Sequence, residues 1–163
     1  MRTSVNGLNL IKEFESLHDG DLSVIGLQPK MCPAKIWTEG YGRAMRNKNG
    51  VFLKDVKDKQ EAYANITIHT KQEAEKALNE DVGIFERIVS SKIKIDLNQN
   101  QFDALVSYTY NTGGSDTLFK LINQKAPKEQ IQKWFETKYI TANGVTKPGL
   151  VRRRKEESNL FFK

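Results

Sequence analysis

Residues 31–42, MCPAKIWTEGYG, decide how this chain reads, because they put a thiol and a hydroxyl on a short, sharply turned β segment. Pro33 fixes φ, while Gly40 and Gly42 admit positive φ, so turns bracket the run. Ile36, Trp37 and Thr38 between them are good strand residues. In a strand Thr38 and Glu39 point to opposite faces. If Thr38 lines a cleft, Glu39 does not, which argues against Glu39 as a catalytic carboxylate. Just upstream, residues 6–18 read as a helix with Leu10, Ile11, Phe14 and Leu17 on one stripe, and Glu15 rides on it. A carboxylate on that helix, followed by Cys32 and Thr38 on a turned strand, is one way to build a catalytic cleft.

Outward from this segment, residues 19–56 hold Gly20, Gly26, Pro29, Pro33, Gly40, Gly42 and Gly50 with short apolar runs between, which predicts a small β region. Residues 57–69 are polar and fit neither period. At Thr70 the pattern changes. Thr70 and Glu73 form a capping box, and Ala74, Leu78, Val82, Phe85, Ile88 and Val89 recur at helical spacing to about residue 91. Asn98 and Gln101 repeat the capping signal ahead of Phe102, Leu105, Val106 and Thr109, and the turn Asn111-Thr112-Gly113-Gly114 closes that helix. A further helix is predicted over 116–124. Pro127 suits the first position of a helix over 127–139, with Ile131, Trp134, Phe135 and Tyr139 facing inward. Asn143-Gly144 and Pro148-Gly149 mark a loop before a last helix over 150–161. One helix, a small sheet, one long helix and a helical cluster make an α+β arrangement. It is expected as a single domain over 1–163, with the first helix and β lobe over about 1–69 and the long helix and helical lobe over about 70–163. A cleft between two such lobes is where a ligand is expected.

Composition bounds the chemistry. The chain of 163 residues is long enough to bury a core without metals or disulfides. A single cysteine excludes an internal disulfide, and Cys32 with His18 and His69 is too few for the usual zinc site. No HExxH, CxxC, Walker or GxGxxG pattern occurs, so neither metal nor cofactor is expected. There is no apolar run long enough for a spanning helix, and the opening MRTSVNGLN lacks the apolar core of a signal peptide. No stable membrane insertion is therefore expected. The net charge of +6 favours an anionic partner such as nucleic acid, an anionic membrane surface or an acidic wall polymer, and serves solubility equally well. Arg152-Arg153-Arg154-Lys155 is followed at once by Glu156-Glu157, which reads as a helix surface rather than a nucleic-acid arm.

Each candidate side chain has an ordinary reading beside the functional one. A glutamate on a surface helix is usually just solvated, and Glu13 lies as near the apolar stripe as Glu15 does. Leu8 and Ile11, at i−7 and i−4 from Glu15, are placed to desolvate it, and desolvation favours a protonated carboxyl fit for general-acid work. A free cysteine is most often a small buried hydrophobe. As a nucleophile Cys32 would need His18 or His69 as its base, which defines a rival: a cysteine peptidase or amidase acting on cell walls. A basic nucleic-acid-binding module is the rival from another class, and it rests on net charge alone.

Four segments in order carry a resemblance that covers most of the chain. Asn9–Ser16, NLIKEFES, is similar to the helix of the phage-type lysozymes (glycoside hydrolase family 24, the muramidase endolysins), which ends in Phe-Glu-Gly. CPAKIWTEGYGRA resembles the cysteine-bearing branch of that family, Asn98–Gly113 its central helix, and Gly149–Phe161, GLVRRRKEESNLF, its C-terminal segment. The resemblance implies a lysozyme-like α+β fold with a small N-terminal β lobe and a larger C-terminal helical lobe joined by a long helix. It also implies a catalytic triad of Glu15, Cys32 and Thr38, with the glutamate as acid. Cys32 and Thr38 keep the family's spacing of six positions. Sixteen residues separate Glu15 from Cys32, about twice the usual number, which predicts an enlarged hairpin or loop in HDGDLSVIGLQPK and brings in Asp19 and Asp21. Ser16 replaces the usual glycine after the acid, Glu39 an apolar residue, and Arg43 a common histidine that leaves it to pair with a carboxylate such as Asp81. An arginine from Arg152–Arg154 is expected near Glu15. The implied substrate is peptidoglycan, cut by a monomer that waits in the host cytoplasm and reaches the wall with the help of a holin.

Overall fold

The computed structural model describes residues 1–163, and the chain divides into two compact units, Glu15–Asp81 and Met1–Phe14 with Val82–Lys163. The first unit is built from very short strands. β1 (Lys30–Met31), β2 (Trp37–Glu39) and β3 (Arg43–Ala44) form an antiparallel sheet in that order, with Lys30 opposite Thr38 and Glu39 opposite Arg43. Bridges at Ile36–Lys54 and Arg46–Phe52 extend the pairing. One face of the sheet buries Trp37, Met45 and Leu53 against Ala62, with Met31 and Tyr63 packed on them. The Trp37 indole donates to the Asp55 carbonyl at 2.8 Å and meets the Tyr63 ring edge-on at 5.9 Å. Ala62 and Tyr63 lie on α2 (Lys59–Ala64), which follows a 3-10 turn at Val56–Asp58, so most of the stretch without a clear period is helical.

The sixteen residues between Glu15 and Cys32 include a loop rather than a paired hairpin. Gly20 N–H donates to Gln28 O at 3.1 Å, and Leu27 N–H donates to His69 O at 2.9 Å. Beyond that closure Asp21 caps its own turn by accepting from Ser23, and Leu22 and Ile25 stand 88% and 101% exposed.

α3 (Lys71–Lys92) starts at the predicted box: Thr70 N–H donates to Glu73 Oε2 at 3.0 Å and Glu73 N–H to Thr70 Oγ1 at 3.2 Å. The second unit begins with α1 (Val5–Glu15), whose start is held from afar. Thr3 N–H and hydroxyl donate to Glu86 at 2.7 and 2.9 Å, while Ser4 N–H and hydroxyl donate to Asp103. α4 (Gln99–Thr112) carries the full capping box of Asn98 and Gln101 and ends on Gly113 at φ 80°, the left-handed geometry that glycine adopts without strain. Every residue from Phe102 to Thr109 is buried, so α4 is the helix around which this unit packs. α5 (Asp116–Asn123), capped by Ser115, and α6 (Lys128–Thr137), preceded by Pro127, follow. The Asn143-Gly144 loop is the turn of a small hairpin, β4 (Thr141–Ala142) with β5 (Val145–Thr146). α7 (Pro148–Phe161) packs on α4 and α6.

Three local expectations change. The first helix ends at Glu15, not at 18, because Ser16 takes φ 60° and turns the chain out of the helix. Tyr139 lies past the end of α6, also at positive φ, and is 47% exposed although its ring still meets Tyr108 edge-on. Arg153 and Arg154 are not a helix surface. They are buried around Glu157, which accepts from the Ser107 hydroxyl at 2.8 Å, from Arg153 Nε at 3.0 Å and from Arg154 Nη2 at 3.1 Å. Burial pushes the Glu157 carboxyl up, and the two guanidiniums and Ser107 oppose that shift.

Candidate active site

Glu15 is the last residue of α1, so its carboxyl leaves the helix where the chain turns at Ser16. The residue after the acid thus occupies the left-handed region, where a glycine would sit without strain and a serine sits at some cost. Two residues on, His18 N–H donates to Gly40 O at 2.8 Å and ties this turn to the end of β2. Gly42 explains the Gly-Tyr-Gly string. Its φ is +88°, and a Cβ there would come within 3.3 Å of Glu15 Oε2. A side chain at this position would crowd the carboxyl as well as strain the backbone.

Thr38 is buried in the middle of β2. Its hydroxyl donates to Lys30 O, the carbonyl of its register partner, at 2.8 Å. His18 Nδ1 lies 2.7 Å from the same oxygen. The ring also faces Glu15, whose backbone and carboxylate both favour its charged form. Burial, seconded by the Lys30 charge, holds this imidazole below its ordinary value, and Glu15 opposes the shift. Glu15, His18 and Thr38 are therefore linked through one ring.

Cys32 follows β1 and closes the β1–β2 turn: its N–H donates to Ile36 O at 2.8 Å and its carbonyl accepts from Lys35 N–H at 2.8 Å. Cys32 and Ile36 continue the Lys30–Thr38 register by two positions, so the pleat puts Cys32 on the Thr38 face, opposite Met31 and Trp37. The thiol is half-buried and free.

The neighbouring carboxylates have other work. Glu39 points away from Thr38 as the pleat requires, and accepts from Thr67 N–H at 2.9 Å, Thr67 Oγ1 at 2.6 Å and Ile68 N–H at 3.1 Å. It fastens the segment before α3. Arg43 makes the pair expected of it, a two-pronged contact with Asp81 at 2.9 and 3.0 Å, and adds the Ala77 carbonyl at 2.8 Å. Asp21 caps its own turn. Arg152 pairs with Glu13 at 3.1 Å and lies over the Phe14 ring, next to Glu15 in sequence. Sequence reasoning considered His18 only as a base for Cys32. Its place three residues after Glu15 was the available signal, but the hydroxyl it meets lies twenty positions away.

The family model described as phage lysozyme matches residues 22–157, a span that contains Cys32 and Thr38 and leaves Glu15 just outside. An endolysin from Acyrthosiphon pisum secondary endosymbiont phage 1 is 30% identical over 99% of this chain and 98% of its own length. An endolysin from Bacillus phage B103 is 34% identical over 99% of this chain, which spans only 54% of that longer protein. Among solved structures, the endolysin from Escherichia coli O157:H7 phage FAHEc1 superposes with a TM-score of 0.74 at 31% identity, covering 100% of this chain and 94% of the other.

Proposed function

The chain belongs to the phage lysozyme family and is a peptidoglycan-degrading glycoside hydrolase, and from that premise we propose that Glu15, Cys32 and Thr38 carry the reaction. The bond cut is the β-1,4 linkage between N-acetylmuramic acid and N-acetylglucosamine. Glu15 gives its proton to the glycosidic oxygen as the bond to the anomeric carbon breaks. Positive charge develops on the sugar ring, water attacks the anomeric carbon from the opposite face as in an inverting glycosidase, and the proton it sheds passes to solvent, from which the Glu15 acid is restored. Thr38 helps to hold that water. Its one proton is committed to Lys30 O, so the hydroxyl serves the water as an acceptor. Cys32, on the same face of the hairpin, orients the water or acts electrostatically, because a thiol is a weak substitute for a carboxylate base.

The observation that supports this reading best is the linkage of Glu15 to Thr38 through His18, with Gly42 leaving room beside the Glu15 carboxyl. A cysteine peptidase has no comparable support. His18 is engaged with Thr38, and His69 is an exposed residue at the start of α3. The nucleic-acid reading is equally weak, since Arg153 and Arg154 are buried in an ionic cluster.

The physiological setting follows from the same reading. The protein acts as a monomer in host lysis, waits in the host cytoplasm and reaches the wall through a holin lesion. No helix of the chain is long and apolar enough to cross a membrane. The net charge of +6 draws it to anionic wall polymers in a salt-dependent way, without a nucleic-acid partner.

The test is release of reducing ends from purified peptidoglycan. Glu15→Gln is expected to lower the rate by about 10²-fold or more, with the circular dichroism spectrum and Tm preserved. Cys32→Ser is expected to keep part of the activity. Wild-type lysis by Glu15→Gln overturns the assignment.

A further inference from the structure

His18 has no part in the mechanism as set out above, yet it is the side chain through which the two ends of that mechanism meet. Thr38 has one hydroxyl proton, and it points to Lys30 O. The 2.7 Å contact with His18 Nδ1 therefore requires that Nδ1 carry hydrogen and donate to Thr38 Oγ1. Held by two partners, the Thr38 hydroxyl has one rotamer and presents its remaining lone pair in a fixed direction. The backbone on the other side is fixed as well, by His18 N–H to Gly40 O.

We propose that His18 is a positioning residue of this site: it fixes the direction in which Thr38 accepts from the attacking water. The proposal rests on the assignment of Glu15 and Thr38 given above. The charge state matters because Glu15 must hold a proton to act. The charged groups facing the ring are Glu15 at the end of α1 and Lys30 on β1. Glu15 favours a charged imidazole. Burial and Lys30 act the other way and keep the ring neutral. As pH falls through the lowered His18 value the ring gains a second N–H and a positive charge beside Glu15, which changes the field in which the acid works. Stability follows the same titration. The unfolded histidine binds its proton first, so the His18 contribution is whole above about pH 6.5 and is lost as pH falls through the folded value.

Two measurements test this. In the first, kcat and KM for reducing-end release are followed between about pH 4.5 and pH 8 for wild type, His18→Ala and His18→Asn. The asparagine amide reaches the Nδ1 position and donates there without titrating. His18→Ala is expected to lower kcat about tenfold with KM nearly unchanged. His18→Asn is expected to recover most of kcat at neutral pH and to lose the acid-side inflection of the wild type. A folded His18→Ala enzyme with wild-type kcat and pH profile overturns the proposal; if His18→Ala does not fold, an unchanged profile in His18→Asn does so.

The second measurement needs no activity. Long-range proton–nitrogen NMR of the two imidazoles, assigned with His69→Gln, is expected to find His18 as the Nδ1–H tautomer. It should titrate below its ordinary value and shift in Thr38→Val. A His18 that titrates as a solvent-exposed histidine and ignores Thr38→Val overturns the proposal. Because Glu15→Gln tests the functional reading separately, its failure is distinguishable from failure here.

Discussion

The two units of this chain use buried polar groups for different purposes. In the helical unit, helices of eight to fourteen residues supply long apolar contacts, and the charged cluster of Arg153, Arg154 and Glu157 sits inside them between α4 and α7. Its role is internal. It joins Ser107 on α4 to α7 and places the Arg154 guanidinium over the Tyr108 ring, whose hydroxyl burial pushes up to about 12. In the Glu15–Asp81 unit the strands are two or three residues long and a single apolar cluster lies beneath them. So little sheet cannot by itself hold a reactive group to within a fraction of an ångström. Polar cross-ties do it instead: Glu39 to Thr67 and Ile68, Arg43 to Asp81 and Ala77, His18 to Thr38. A site carried on short strands is only as rigid as the hydrogen bonds that brace them.

Substitutions on each side put that contrast at risk. The largest loss of stability is expected from Glu157→Ala, which leaves Arg153 and Arg154 buried without their carboxylate, at about 3–5 kcal/mol in denaturant unfolding. Much of the helical unit is expected to loosen with it. Glu39→Ala is expected to cost about 1–3 kcal/mol, since Thr67 N–H and the buried Ile68 N–H lose their acceptor. Here the sharper readout is hydrogen exchange. Protection should fall at Thr67 and Ile68 while α4 is unaffected, and equal loss across both units would argue against separate bracing. The smallest effect belongs to a purely local device. Asn98→Ala removes one half of the α4 capping box and is expected to cost about 1 kcal/mol, read as a small drop in Tm with activity unchanged.

Much of the helical architecture was legible because its signals are local. The Thr70–Glu73 and Asn98–Gln101 boxes satisfy backbone groups within one turn, and Gly113 ends α4 through its own φ. Residues 59–64 gave no such signal, because what makes them a helix is Ala62 and Tyr63 packing on the Trp37 cluster. The first helix was read past its end for a related reason. Leu17 continues the apolar stripe, but the chain leaves the helix at Ser16 to bring His18 to Gly40. Arg152–Arg154 read as a surface run, and only contacts with Ser107 and Asn111, more than forty positions away, show two of the three to be interior. In the candidate site, residue types and a family spacing point to Glu15, Cys32 and Thr38, and strand alternation gives the contrary face of Glu39. Nothing local marks His18 as the partner of Thr38, twenty positions away.

What the sequence determined alone, then, was everything that depends on neighbours within about one helical turn or one strand pair: the caps, the turns, the alternation that separates Thr38 from Glu39, and the order of the segments. What waited for the tertiary structure was every partnership across the chain, including Glu39 with Thr67, Glu157 with Ser107, and His18 with Thr38. The physical reason is that a hydrogen bond depends on distance and direction in space, and residues twenty or fifty positions apart acquire both only when packing has placed their backbones.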